Sequence, residues 1–113
     1  SISGATRVCE VTPSGLREFE VEPGMAGLAS HPLSLLEGRD VSGNARAILE
    51  LFDGHAGPFR DMVLLNAAAG LMVLGRAQDL REGALIAAEA IDSGQARDCL
   101  AKLRKASGGE PVT

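Results

Sequence analysis

Trp and Tyr do not occur in this 113-residue chain, and Phe occurs only three times. Without aromatic rings there is no platform on which unstacked bases could lie, as single-strand nucleic-acid binders require. Basic charge is also scarce: eleven Lys and Arg stand against fifteen Asp and Glu, a net charge of −4. The basic residues are scattered, so no clustered cationic face for nucleic acid is expected. Arg97, Lys102, Arg104 and Lys105 are read as the solvated end of a last helix, where cations complement the dipole. The two cysteines, Cys9 and Cys99, lie far apart and form no CxxC or metal-ligand spacing. They read as two buried, reduced thiols of a cytosolic protein. The uncharged run from Met62 to Gly75 has 14 residues, short of the roughly 20 that a bilayer span needs. No signal peptide is read at Ser1, and the run is expected to be a buried helix of a soluble protein.

Catalytic patterns are equally scarce. His31 and His55 stand alone in Gly/Pro loops, and no Ser or Cys sits in a nucleophile context. There is no HExxH, no Gly-rich phosphate loop and no cluster of His and carboxylates at ligand spacing. Glu10, Glu18, Glu20 and Glu22 read as a solvated strand face. The best candidate for holding an anion is GRDVSGN, residues 38–44, whose glycines and Arg39 lead into a helix N-terminus. It lacks the compact spacing of a phosphate loop, so a helix cap and turn is the favoured reading.

What remains is a chain rich in Ala, Leu and Val, 45% hydrophobic, the size of one ordinary domain. Each buried alanine contributes about one methyl group, roughly 0.8 kcal/mol, so the core must come from helices packed closely together or against a sheet. The stretch ATRVCEVTPSGLREFEVEP predicts a hairpin over 5–22, with a Thr12-Pro-Ser-Gly15 turn in which Pro13 presets φ and Gly15 takes positive φ. A lone hairpin is marginal in water and should join a larger sheet. Residues 23–40 form a Gly- and Pro-punctuated connection with one helical turn at Leu33–Leu36.

Four helices follow. The first, 42–53, is capped by Asp40 or Ser42, presents Ala45, Ile48, Leu49 and Phe52, and ends at Gly54. The second, 58–74, opens on Pro58 and stops at Gly75. The third, 79–92, has a capping box of Asp79 and Glu82, with Leu80, Ala84, Ala87, Ala88 and Ile91 on one stripe. The fourth, 94–105, shows Ala96, Cys99, Leu100 and Leu103 at i, i+3, i+4, i+7. Residues 106–113 are expected to be a disordered tail.

The second helix is apolar on all sides, which a chain this short struggles to wrap. Asn66 lies inside it. A buried amide without partners costs about 1–3 kcal/mol, so Asn66 is expected to bond a neighbouring loop's backbone, a structural role rather than a ligand contact.

The order of these segments resembles the C-terminal part of the anthranilate phosphoribosyltransferase family. ISGATRVCEV matches that family's Ser/Thr-Gly-x-Thr-x-Val-x-Glu strand, and REFEVEPGMAGL its second strand ending in Pro and Gly-Leu. GRDVSGNA matches a Gly-rich turn before Asn-Ala, RDMVLLNAAAGL and EGALIAAEAIDSGQA follow in order, and the likeness runs from Ile2 to about Leu103. The resemblance implies an α/β fold with a mostly parallel sheet, of which this chain is a C-terminal fragment, and a small helical domain elsewhere. It implies transfer of phosphoribosyl from phosphoribosyl diphosphate to anthranilate in tryptophan synthesis, with magnesium, in a cytoplasmic homodimer joined through the helical domain.

The family's Gly-Thr-Gly-Gly-Asp loop, Lys-His-Gly-Asn segment and anthranilate-contacting arginine have no counterpart here, and its magnesium-binding Asp-Glu pair is expected upstream of Ser1. No catalytic, substrate-binding or metal residue is therefore carried onto this chain. Ser1–Thr6 would at most lie near the metal. The hairpin would finish a larger sheet, the apolar helix would pack on it, and the chain alone would be inactive and marginally stable or associated. Two alternatives are open: a fragment of a related nucleoside phosphorylase or phosphoribosyltransferase-like paralogue, or a non-enzymatic helical interaction module.

Overall fold

The structure, a computed structural model, describes residues 1–109. An antiparallel hairpin, β1 (Thr6–Thr12) and β2 (Gly15–Val21), is followed by α1 (Val41–Phe52), α2 (Pro58–Val73), α3 (Leu80–Asp92) and α4 (Gln95–Ala106). The expected α/β fragment of a hairpin and four helices is therefore present. The described residues contribute one antiparallel strand pair and no parallel strand.

The hairpin closes through Pro13 and Ser14, with Gly15 at φ 137° and Thr12 opposite Gly15. Val8 pairs with Phe19 and Thr6 with Val21 on one face; these four residues are half-buried, and Val21 packs against the core. Toward the tip both faces open to solvent, with the cross-strand partners Val11 and Leu16 at 75% and 73% exposure. Arg17 reaches Glu10 at 3.0 Å on the Val8–Phe19 face and Arg7 reaches Glu18 at 3.5 Å on the other, so these acids are solvated but do not share one face.

Two short 3₁₀ turns, Pro23–Ala26 and Leu33–Leu36, punctuate the connection that follows. The second was expected and the first was not. Pro23 and Ala26 are buried, and Ile2, the most buried large side chain at 1% exposure, lies in the same core. His31 fastens this layer: its backbone N–H donates to the carbonyl of Ile2.

The helix ends follow local chemistry. Asp40 caps α1 by accepting from the Gly43 N–H at 2.7 Å. Pro58 opens α2, and α2 ends with the Arg76 N–H reaching back to the Leu71 carbonyl as Gly75 turns left-handed at φ 70°. Asp79 accepts from the Glu82 N–H at 2.8 Å, while the Glu82 carboxylate accepts from Gln78, one residue before the cap. The expected tail begins too early: Ala106 is still helical, and Gly108, at φ 78°, lets the Gly109 N–H bond the Arg104 carbonyl. Residues 110–113 of that tail lie outside the described residues.

The core is the seam between α2 and α3. Leu64, Leu65 and Ala68 of α2 meet Leu80, Ala84, Ala87 and Ile91 of α3. Gly83 sets the approach, since a Cβ there would lie 2.8 Å from Ala68 Cα. The other expected stripes are not buried. In α1 only Leu51 is buried, and Ile48 is 38% exposed. In α4 nothing is buried, and Leu103 is 64% exposed. Neither Cys9 nor Cys99 is buried; both thiols are free and exposed, because each sits on an element with no second layer over it.

Nor is α2 enclosed. Val73 and Leu74 are 88% and 74% exposed. The chain exposes 7997 Å², whereas a compact protein of its mass exposes about 5,900 Å². Its radius of gyration is 15.5 Å, against about 13 Å for a compact chain of this length.

Candidate functional site

The loop over 38–44 is occupied by its own side chains. Asn44 accepts from the Arg39 N–H at 2.9 Å and donates back to the Arg39 carbonyl at 3.0 Å, while Asp40 takes the Gly43 N–H. A carboxylate and an amide thus fill the positions an anion would take. The local sequence explains this, since Asp40 at the cap satisfies a first-turn donor and Asn44 closes the turn back onto Arg39, the residue before the cap. The cap-and-turn reading holds.

Beside this loop lies a cleft of 570 Å³ between the second 3₁₀ turn, α1 and the start of α2. Its floor is apolar, with Leu36, Leu51, Phe59 and Met62, and its rim carries Glu37, Arg39, Glu50 and His55. His55 is exposed there. The rim presents both signs of charge.

The other histidine is not alone. His31 Nε2 lies 2.8 Å from Asp61 Oδ2, with both side chains half-buried. Sequence reading missed this pair because the two residues are 30 apart and meet only when the connection folds back over the first turn of α2. Together with its backbone bond to Ile2, His31 holds the N-terminal segment to α2.

A second charged group joins the helix ends. Arg60, at the start of α2, grips Asp92, at the end of α3, through two bonds of 2.9 Å each. That bidentate bond holds the Asp92 carboxyl below its usual range. Arg97 pairs with Asp53 just after α1. Arg97 therefore lies in the first turn of α4, away from the C-terminal end assigned to it, whereas Arg104 and Lys105 do sit in the last turn.

Asn66 departs from expectation. It is exposed, and its amide donates to the Met62 carbonyl of its own helix at 2.9 Å. No loop covers the face on which it stands. Among the described residues no three His, Cys, Asp or Glu side chains come together in a set able to hold a metal ion, and no helix is long and apolar enough to cross a membrane. Ser1–Thr6 contribute hydroxyls and an anchor: the Ser1 and Ser3 hydroxyls bond each other at 2.8 Å, and Ile2 fills the core. These arrangements fasten helices and termini together; none joins a nucleophile to a base.

Comparison with known proteins places this scaffold. Residues 1–97 match the glycosyl transferase family, a/b domain, and the chain belongs to that family. Among curated relatives, the anthranilate phosphoribosyltransferase of Hyphomonas neptunium is 57% identical over 107 residues, 95% of this chain and 31% of the relative. That of Parvibaculum lavamentivorans is 49% identical over 96% of this chain and 32% of its own length. That of Geobacter sulfurreducens is 48% identical over 93% and 29%. The chain thus spans about a third of the length of the relatives it matches.

Proposed function

We propose that this chain is the C-terminal part of an anthranilate phosphoribosyltransferase, which transfers phosphoribosyl from phosphoribosyl diphosphate to the amine of anthranilate in tryptophan synthesis. The observation that carries the reading is the 57% identity over 95% of the chain to a protein of that name. The family description names glycosyl transfer and no acceptor, so anthranilate enters through the relatives alone.

In this reading the chain's own contribution is structural. The α2–α3 seam and the Arg60–Asp92 clamp make a rigid support, and Ile2 and His31 fix the direction in which the N-terminal segment leaves it. Magnesium belongs to the same proposal; the described residues offer no group of three His, Cys, Asp or Glu side chains for it, so its ligands are assigned to the remainder of the enzyme. The enzyme works in the cytoplasm as a homodimer joined through a helical domain outside this chain.

The test compares two samples in the presence of phosphoribosyl diphosphate, Mg²⁺ and anthranilate. One is the 113-residue chain. The other is a chimera in which the chain replaces the matching 107 residues of the Hyphomonas neptunium relative. Anthranilate should be consumed by the chimera and left unchanged by the chain. Turnover by the chain alone, or a folded chimera that leaves anthranilate untouched, would refute the proposal.

A further inference from the structure

Four ionisable side chains, Glu37, Arg39, Glu50 and His55, stand around the cleft between the second 3₁₀ turn, α1 and the start of α2. Among the described residues none of the four takes part in an ion pair. Arg7, Arg17, Arg97 and His31, by contrast, each have a carboxylate partner. Arg60 also borders the cleft, but Asp92 already holds it through two bonds. The rim therefore carries two acids and two bases around one cavity, set too far apart to pair with one another.

The floor between them is apolar, with Leu51 buried and Leu36 and Phe59 half-buried. The volume, 570 Å³, falls within the range of about 300–1,000 Å³ in which small-molecule sites lie. An apolar floor with a few polar groups at its edge is also their usual make-up. The charges decide what can enter. A polyanion such as a nucleotide would meet Glu37 and Glu50, and a simple cation would meet Arg39. A polypeptide segment with an apolar face would close over all four groups and leave them without water or partner, which is costly for each ion. A small molecule with one cationic and one anionic group on an apolar body answers both signs and still covers the floor.

The geometry points to this cleft as a binding site for an amphipathic zwitterion, of the chemical class of an α-amino acid with a large apolar side chain. The ligand's carboxylate accepts from the Arg39 guanidinium and from an imidazole N–H of His55. Its ammonium donates to Glu37 and Glu50, and its side chain lies on Leu51 and Phe59. The inference goes beyond the proposed reaction and needs neither the donor nor the acceptor of the phosphoribosyl group.

The probe is L-phenylalanine, titrated by calorimetry into the 113-residue chain and into the Hyphomonas chimera, with amide NMR shifts of the chain to locate the site. Binding should be saturable in both proteins, with shifts at Leu36, Ile48 and Phe59. Phenylpropionate lacks the ammonium and phenylethylamine lacks the carboxylate, so each should bind about tenfold more weakly or less, the loss of a hydrogen bond between charged groups. Arg39→Gln should weaken phenylalanine by a similar factor and leave phenylethylamine unchanged. Glu37→Gln combined with Glu50→Gln should weaken phenylalanine and leave phenylpropionate unchanged. These side chains are exposed, so the variants should keep the fold. No saturable binding by the chain at millimolar phenylalanine would overturn the inference, as would equal affinity for the three compounds or shifts that map away from the cleft. Binding by the chain that is lost in a folded chimera would overturn it too, by showing that the longer polypeptide covers the cleft. If the chimera does not fold, the titrations of the chain and its variants decide.

Discussion

Gly83 and Gly70 lie in neighbouring helices and should respond to the same substitution with opposite signs. Alanine in a helix interior is favoured over glycine by about 1 kcal/mol, because glycine loses more backbone freedom on folding. At Gly70 nothing lies within 4 Å of the added methyl group, so Gly70→Ala should stabilise the chain by about 0.5–1 kcal/mol. At Gly83 the methyl group would sit 2.8 Å from Ala68 Cα and 2.9 Å from both its Cβ and its carbonyl oxygen. Two of those atoms are backbone and cannot rotate away, so α2 and α3 must separate. Overpacking of this kind costs about 1–3 kcal/mol, which exceeds the propensity gain. Gly83→Ala should therefore destabilise by about 1–2 kcal/mol, a fall of several degrees in Tm for a domain this small. Urea denaturation of the two variants and the parent, monitored by circular dichroism, gives the comparison. A Gly83→Ala protein as stable as Gly70→Ala would refute the close α2–α3 approach and the core built on it.

Three further outcomes are expected. Asn66→Ala should change stability by less than about 0.5 kcal/mol, as at an exposed helical site; a loss above about 1 kcal/mol in urea unfolding would restore the buried-amide reading. Asp79→Ala removes the acceptor for the Glu82 N–H and should cost about 1 kcal/mol, while Ser42→Ala, beside the working Asp40 cap, should cost almost nothing by the same assay. Asp92 titrates below its usual range because Arg60 holds its ionised form, so its contribution is present above the unfolded value near pH 3.9 and lost as pH falls through the lower folded value. The urea midpoints of the parent and Arg60→Met should therefore differ most at neutral pH and converge as acidification protonates Asp92 in the folded state; a gap that widens on acidification would contradict that linkage.

The elements were legible in the sequence where a single residue type decides the backbone. Pro13 and Gly15 set the hairpin turn, Pro58 and Gly75 bracket α2, and Asp79 with Glu82 opens α3. The stripe Leu80–Ala84–Ala87–Ile91 was legible because its partner helix is present in the same chain. Burial failed where the partner is absent from it. Periodicity marks the faces of α1 and α4 as apolar, and the fold leaves Ile48, Cys99 and Leu103 open because no layer lies over them. Asn66 was misplaced for the same reason. Gly83 was missed because a glycine within a helical pattern looks like a weak helix former until the neighbour at Ala68 is known. The pairs His31–Asp61, Arg60–Asp92 and Arg97–Asp53 join residues 30 or more apart, and no local spacing announces them.

The alanine content of the α2–α3 seam has a consequence for how this chain responds to heat and cold. Heat capacity of unfolding rises with the apolar area newly exposed and falls with the polar area. Ala68, Ala84 and Ala87 hide little apolar area each, and the faces of α2 and the hairpin tip are already wet before unfolding begins. The 113-residue chain should therefore lie below the roughly 12–15 cal/mol/K per residue of compact domains. Its stability curve is correspondingly flat and its melting transition broad, and a change of 1 kcal/mol displaces the midpoint further than it would in a densely filled domain.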